Sequence, residues 1–418
     1  MNNRSKLIYL FGLIVILELI TPNAFAHSAI TILAPTRQTI NSGLLPVGYG
    51  GGGGGGGGGM GGGSGKGGYN HGDNHNSYAS SKPLIDQENS VTEVASTVPV
   101  NGEVNPYGVA VIQTTSGVLA EGNILVSNFN NKANQQGTGT TIVQIAPDGT
   151  RTLFAQINST NLPDRCPGGI GLTTALVALR SGWVIVGSLP TTDGTAATAK
   201  AGCLIVLNNQ GQVAETFAGS EINGPWDMTA YDEGNHAALF FTNVLNGTVA
   251  ANGTAVNHGT VVRMDLNLPN GGIPQKISST IIGSGFGERS DPAALVIGPT
   301  GVALGIDGTL YVADSLANRT AAIPNALTRQ TSAGTGLTVS ENGAINTPLG
   351  LTIAPNGDII VANAGDGNLV EITPSGKQVA VRTVEPTGAG TLFGLAAAPT
   401  IAGVYFVDDG TNMLDILH

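Results

Sequence analysis

The chain has 418 residues, only 11% of them charged, with 63 glycines and a formal net charge of −11. Charged residues average about 25% of a globular chain, so this is a sparsely charged, acidic protein. With no basic cluster after the first few residues, nucleic acid and anionic membrane surfaces are excluded as expected partners.

Residues 1–26 read as a secretory signal. Arg4 and Lys6 give a positive start, Ile8 to Ile20 is an apolar run broken by Gly12 and Glu18, and Ala24-Phe25-Ala26 is a small-x-small cleavage site. The alternative is an uncleaved anchor, but the run falls short of the roughly 20 residues that span a bilayer. Cleavage after Ala26 removes two cations and one anion, so −11 becomes −12 for the mature chain. No later apolar stretch is long enough to cross a membrane. The expected location is periplasmic or secreted.

Residues 27–89 read as a disordered glycine-rich and polar linker. Residues 48–68 are almost pure glycine, with an unbroken run from Gly50 to Gly59. Such a segment buries no apolar area to offset its backbone entropy. His71, Asp73 and His75 lie close together downstream. They are read as polar linker rather than a metal site, because an unfixed H-x-D-x-H offers too few ligands.

From about Ser90 short apolar runs alternate with Gly, Asn, Asp and Pro turns, the pattern of many short strands. One unit recurs as Ile124 to Asn128, Val184 to Ser188, Leu239 to Asn243, Leu310 to Asp314, Ile359 to Asn363 and Val404 to Asp408. Upstream of each copy is a small apolar strand entered through Pro or Gly. These begin near Pro106, Gly169, Gly224, Pro299, Pro348 and Leu392. Turns such as Asn356-Gly357 and Asp307-Gly308 join the two units as hairpins. Third and fourth strands follow, as at Thr141 to Ile145 and Arg151 to Ile157. Each repeat is thus a four-stranded antiparallel meander, and radial stacking buries both of its faces. The predicted fold is all-β, a six-bladed propeller over residues 90–418. The last repeat lacks a fourth strand, and the orphan segment Val91 to Val98 is predicted to supply it and close the ring.

Cys166 precedes the inner strand of the second blade and Cys203 begins its third strand. They lie at the same end, roughly 10 Å apart across two strand spacings. A bridge requires the loop from Asn161 to Gly168 to fold over; the other reading is two separate thiols.

The repeats resemble NHL-repeat propellers, and more distantly gluconolactonase and strictosidine-synthase propellers, over about 320 residues (Ser90 to His418). The resemblance speaks for fold more than for function. Gluconolactonase-like relatives hold a divalent metal at the channel mouth, with Asp and Asn just before the Gly of several inner strands. Here those positions read Tyr107, Ile170, Trp226, Thr300, Leu349 and Phe393, with Asn223 and Asp227 as the only nearby oxygen ligands. The expectation is therefore no metal, with Ca²⁺ as the alternative. Lyase-type relatives use inner-strand histidines, whereas His236 and His258 are read into turns of the third blade and His418 is the terminus.

Tyr107, Trp226, Leu349 and Phe393 form either an apolar plug at the axis or a collar that receives a ligand. With Asn223, Asp227 and Thr300 they make up the candidate ligand site. Asn128, Asn243, Asp314, Asn363 and Asp408 are read as turn starters that bond the backbone after them. Sequons occur at Asn158, Asn246, Asn252 and Asn318. The functional expectation is an exported, monomeric binding or interaction scaffold for a protein, peptide or small molecule. The alternatives are an extracytoplasmic propeller hydrolase or lyase acting at the channel mouth, and a structural surface protein that packs through its glycine run.

Overall fold

A computed structural model describes residues 82–418 apart from positions 89, 165, 389 and 400. The signal, the glycine run and the His71, Asp73, His75 group lie outside the described residues. Among the described residues no helix is long and apolar enough to cross a membrane.

Six antiparallel sheets follow one another along the chain. Blade 1 comprises Val104–Val111, Ile124–Asn130, Thr141–Ile145 and Arg151–Gln156, from inner to outer strand. Blade 2 comprises Leu172–Ala178, Val184–Ser188, Cys203–Leu207 and Val213–Phe217. Blade 3 has Gly224–Asp232, His236–Val244, Val256–Asn267 and a long outer strand Gln275–Asp291, whose end turns back to pair with a short fifth strand, Leu295–Ile297. Blade 4 runs Pro299–Leu304, Leu310–Asp314, Arg319–Ile323 and Leu337–Glu341. Blade 5 runs Pro348–Ile353, Ile359–Asn363, Asn368–Ile372 and Gln378–Thr383. Blade 6 contributes Leu392–Ala397, Val404–Asp408 and Met413–Leu417, and its fourth strand is Val91–Ser96.

The ring therefore closes across the two ends of the folded unit. Thr92 pairs with Ile416, Glu93 with Asp415 and Ala95 with Leu414, with a bulge at Val94. Ser90 and His418 exchange backbone hydrogen bonds at 3.0 and 2.9 Å. The strand is shorter than the predicted 91–98. Thr97 leaves the ladder but still donates its N–H and its hydroxyl to the Asn412 carbonyl. The Asn412 side chain in turn accepts the Asn105 N–H at 2.8 Å, which ties blade 6 to blade 1.

The second strands explain why the repeats are so legible. Nearly every residue in them is buried, so they read as continuous apolar runs instead of alternating ones. Neighbouring residues simply serve opposite seams. In blade 1, Leu125 packs with Leu176 and Val186 of blade 2, while Val126 packs with Tyr405 and Leu414 of blade 6. The other seams are filled likewise by Ile185 with Phe241, Phe240 with Val312, Ala313 with Val361 and Ile360 with Phe406.

Three expectations change. The folded unit starts before Ser90. A one-turn helix, Leu84–Gln87, buries Leu84 and Ile85 against blades 5 and 6, and the fully buried Glu371 carboxylate accepts both of their N–H groups at 2.8 and 2.9 Å. The inner strand of blade 2 starts at Leu172, which pairs with Ser188, so Ile170 falls in the preceding loop. Three residues, Thr173 to Ala175, bulge there where the other blades bulge two. Finally, His236 and His258 sit in paired strands of blade 3, not in turns.

Cys166 and Cys203 form a disulfide, with Cα atoms 5.2 Å apart. The loop folds over through a turn at Ser159–Asn161 to make the approach. With a separation of 37 residues, loop closure gives the bridge about 4 kcal/mol. The double variant Cys166→Ala, Cys203→Ala is expected to lose about that much by urea denaturation. A loss below 1 kcal/mol would show the pair to be structurally idle.

Candidate functional site

Each inner strand carries a bulge where it passes the axis. In blade 1 it lies between Pro106 and Val109, in blade 3 between Pro225 and Met228, and in blade 6 between Leu392 and Leu395. The bulges of five blades bring two layers to the centre.

The first layer is Tyr107, Trp226, Thr300, Leu349 and Phe393. Tyr107 stacks on Phe393 at 4.1 Å and on Phe129 at 4.5 Å, and meets Trp226 edge-on at 5.5 Å. Leu189 from the loop above, Val244 at the end of its strand, and Leu295 and Val296 of the short fifth strand of blade 3 complete this cluster. Tyr107 and Trp226 are 1% and 2% exposed, so the aromatic residues form a plug. Burial pushes the Tyr107 hydroxyl far up, helped by the charge of Asp409. Thr300 is buried too, and its hydroxyl donates to the Pro348 carbonyl at 3.2 Å.

The second layer is glycine in four blades: Gly108, Gly301, Gly350 and Gly394. A Cβ on Gly350 would stand well inside 3.0 Å of the Phe393 carbonyl, and one on Gly394 equally close to that of Tyr107. The layer is glycine because each blade presses its backbone against the next. In blade 3 the same position is Asp227. Its carboxylate reaches across the seam, where Oδ2 accepts the Val302 N–H at 2.9 Å. Its own N–H donates to the Thr242 hydroxyl, which donates on to the Thr300 carbonyl at 2.7 Å. Asp227 is 9% exposed, and burial raises its carboxyl to about 7.

Beyond this layer the channel opens at the end where the inner strands finish. The cavity holds 290 Å³ and is lined by Asp227, Val109, Leu176, Met228, Val302, Leu351 and Leu395 among others. Gln113 and Asp232 stand at its rim. Both bond to Arg180, through the guanidinium to Gln113 and through the backbone N–H to Asp232.

Of the predicted site residues, only Asp227 lines this cavity. Asn223 lies before the inner strand and commits its side-chain N–H to Asn246 Oδ1 at 2.6 Å. Among the described residues no group of three or more His, Cys, Asp or Glu is gathered to hold a metal ion. A Ca²⁺ ion needs six or more oxygens, and the channel donor set does not fit one.

The polar strand ends are structural. Asp408 bonds its own following turn through Gly410 and Thr411, Asp314 bonds the Ala317 backbone, and Asn243 and Asn363 donate to Asn246 and Asp366 at 3.5 Å. Asn243 accepts from the N–H groups of Asn223 and Gly224, and Asn363 from that of Asn346. They clamp the chain as it arrives at the axis. Asp314 pairs with Arg319 at 2.9 Å, and Asn128 donates to the Thr97 carbonyl.

Two further buried carboxyls carry no sequence motif. Glu288 accepts the Asn246 N–H, has no partner for Oε2 among the described residues, and is raised to about 7 by burial. Asp415 lies directly opposite Glu93 in the closing strand pair. Burial first, then Asp408, Glu93 and Glu385, raise it to about 7, and its Oδ1 has no hydrogen-bond partner.

No family model matches the chain, and no curated protein does. Solved structures do. The chain is similar to a gluconolactonase from Xanthomonas campestris, at 13% identity and a TM-score of 0.48, over 78% of this chain and 88% of that one. It is similar to the calcium-binding protein regucalcin from Agrobacterium tumefaciens, at 14% and 0.48, over 77% and 92%. It is also similar to the virginiamycin B lyase of Staphylococcus aureus, at 15% and 0.45, over 79% and 85%. Its own strand pairing establishes the six blades, and the likeness says nothing of its chemistry.

Two predictions follow from the buried groups. Asp415 has a folded value above its unfolded one. Its contribution to stability is full below about 4, the unfolded carboxyl value, and is lost as pH rises through about 7. Asp415→Asn should therefore raise the urea midpoint above neutrality and flatten its fall with pH; an unchanged profile would refute this. Trp226→Ala empties the centre of the plug and is expected to cost about 3–5 kcal/mol in the same assay.

Proposed function

We propose that this chain is an exported binding propeller that takes a small ligand in the open half of its central channel, against Asp227. The observation that carries the reading is the replacement of one glycine of the axial layer by a buried carboxyl that faces the cavity. A ligand with an N–H or O–H donor meets an acceptor there, among aliphatic side chains and backbone, with Thr229, Thr352, Gln113 and Asp232 also on the cavity wall. The cavity of 290 Å³ limits the ligand to a small molecule or a single side chain. The plug supports binding from one end only. The sparse donor set supports a metal-free site.

A second reading is a hydrolase or lyase at the same place. Burial holds Asp227 near the value that suits a general acid at neutral pH. Such chemistry needs a partner to activate the nucleophile, and the second carboxyl that lines the cavity, Asp232, already accepts the Arg180 N–H.

The test is a ligand-observed NMR screen of full-length protein with small amines, polyols and lactones, followed by Asp227→Asn. The amide keeps an acceptor for the Val302 N–H, so the fold stays intact. Loss of about tenfold or more in affinity, the worth of a charged hydrogen bond, with no turnover of any lactone, is the expected result. Turnover that the same substitution abolishes would establish the second reading. Ligands that bind equally well to the variant would remove Asp227 from the site.

A further inference from the structure

A separate groove opens between blades 4 and 5, along the turns at residues 305–307 and 354–358 that join the first and second strands of each blade. It has a volume of 630 Å³. Its apolar lining comes from Ile306, Tyr311, Ile353, Pro355, Pro374 and Val379. Ile306 is 91% exposed at the tip of its hairpin. An isolated exposed aliphatic residue needs no explanation, but one at the edge of an apolar groove marks a contact surface.

The groove is also acidic. Asp307 and Asp358 line it, and no Lys or Arg does, although Lys82 and Lys377 lie on the adjoining segments. Glu371 lies directly behind Asp358. Burial and then Glu371 raise the Asp358 carboxyl to about 6. The groove is built to be rigid. Glu371 is fixed by the N–H groups of Leu84 and Ile85 and by Asn356 Nδ2 at 2.9 Å. Asp307 accepts from both the N–H and the hydroxyl of Thr309. Among the described residues none of these three carboxylates forms a salt bridge.

We propose that this groove docks a peptide segment of a partner protein that presents an aliphatic side chain next to a Lys or Arg. The aliphatic group covers the surface around Ile306 and Ile353. The cation answers the carboxyls of Asp307 and Asp358 on the groove wall, which form no salt bridge among the described residues. A neutral apolar segment would leave that charge uncompensated, and an acidic one would add to it.

The experiment is a methyl NMR titration of full-length protein labelled at isoleucine. The probes are the blocked tetrapeptide Ala-Leu-Lys-Ala and its counterpart Ala-Leu-Glu-Ala. The Lys peptide is expected to move the Ile306 and Ile353 signals in a saturable way, and the Glu peptide to bind about tenfold more weakly or not at all. Asp307→Asn keeps the turn geometry and is expected to weaken the Lys peptide about threefold, the worth of one exposed charge pair. Equal binding of the two peptides, or signals that stay still at millimolar probe, would overturn the proposal. Signals that move with protein concentration alone would show the face pairing with a second copy, which overturns it equally.

Discussion

Every blade of this ring must bury both of its faces, and none can do so without two neighbours. That requirement explains the side chains of the second strands, where adjacent residues such as Leu125 and Val126 belong to different seams. It also explains why the closing pair matters. Without Val91–Ser96 on Met413–Leu417, blade 6 would present an open edge. The short helix at Leu84–Gln87 extends the same logic. It covers apolar surface at the foot of blades 5 and 6 and is held by one buried carboxylate.

The blade count, the strand order and the closure were all legible in the sequence, because burial on both faces leaves a strong apolar signal six times over. The register of blade 2 was not. A bulge with one extra residue, Thr173 to Ala175, looks the same in sequence as an ordinary inner strand, so Ile170 was aligned with Tyr107 and Trp226 although it lies in the preceding loop. The disulfide was legible only as a possibility, since it depends on how one loop folds over. The helix at Leu84 was lost in a polar stretch because its stability comes from Glu371, 287 residues away. The roles of Asn243 and Asn363 were misjudged for a similar reason: their partners precede them by about one hairpin in the chain and lie at the axis.

The candidate site shows the same division. The aromatic layer was visible as a list of residues, but whether it formed a plug or a collar depended on Leu189, Val244, Leu295 and Val296, which roof it. The position of Asp227 was visible as well. Its meaning was not, because it emerges only when the inner strands are aligned by their bulges and four of the six prove to carry glycine there. An acid in that layer departs from the repeat, and burial near neutrality is its physical consequence. The groove on blades 4 and 5 had no signal in sequence, because its acids, Asp307 and Asp358, come from turns of two blades that only stacking brings together.

The circular connection through residues 91–96 has a consequence in time. The first strand of the ring to be synthesised is the last to find its partner, because Met413–Leu417 follows every other strand of the ring. Five blades can pair from local hairpins as they emerge, while the leading strand waits with its backbone groups open to water. Sealing the ring is then a contact between residues more than 300 positions apart, and it comes after almost everything else is in place. A chain cut short by a single hairpin would keep most of its blades and still leave an unpaired strand at each end.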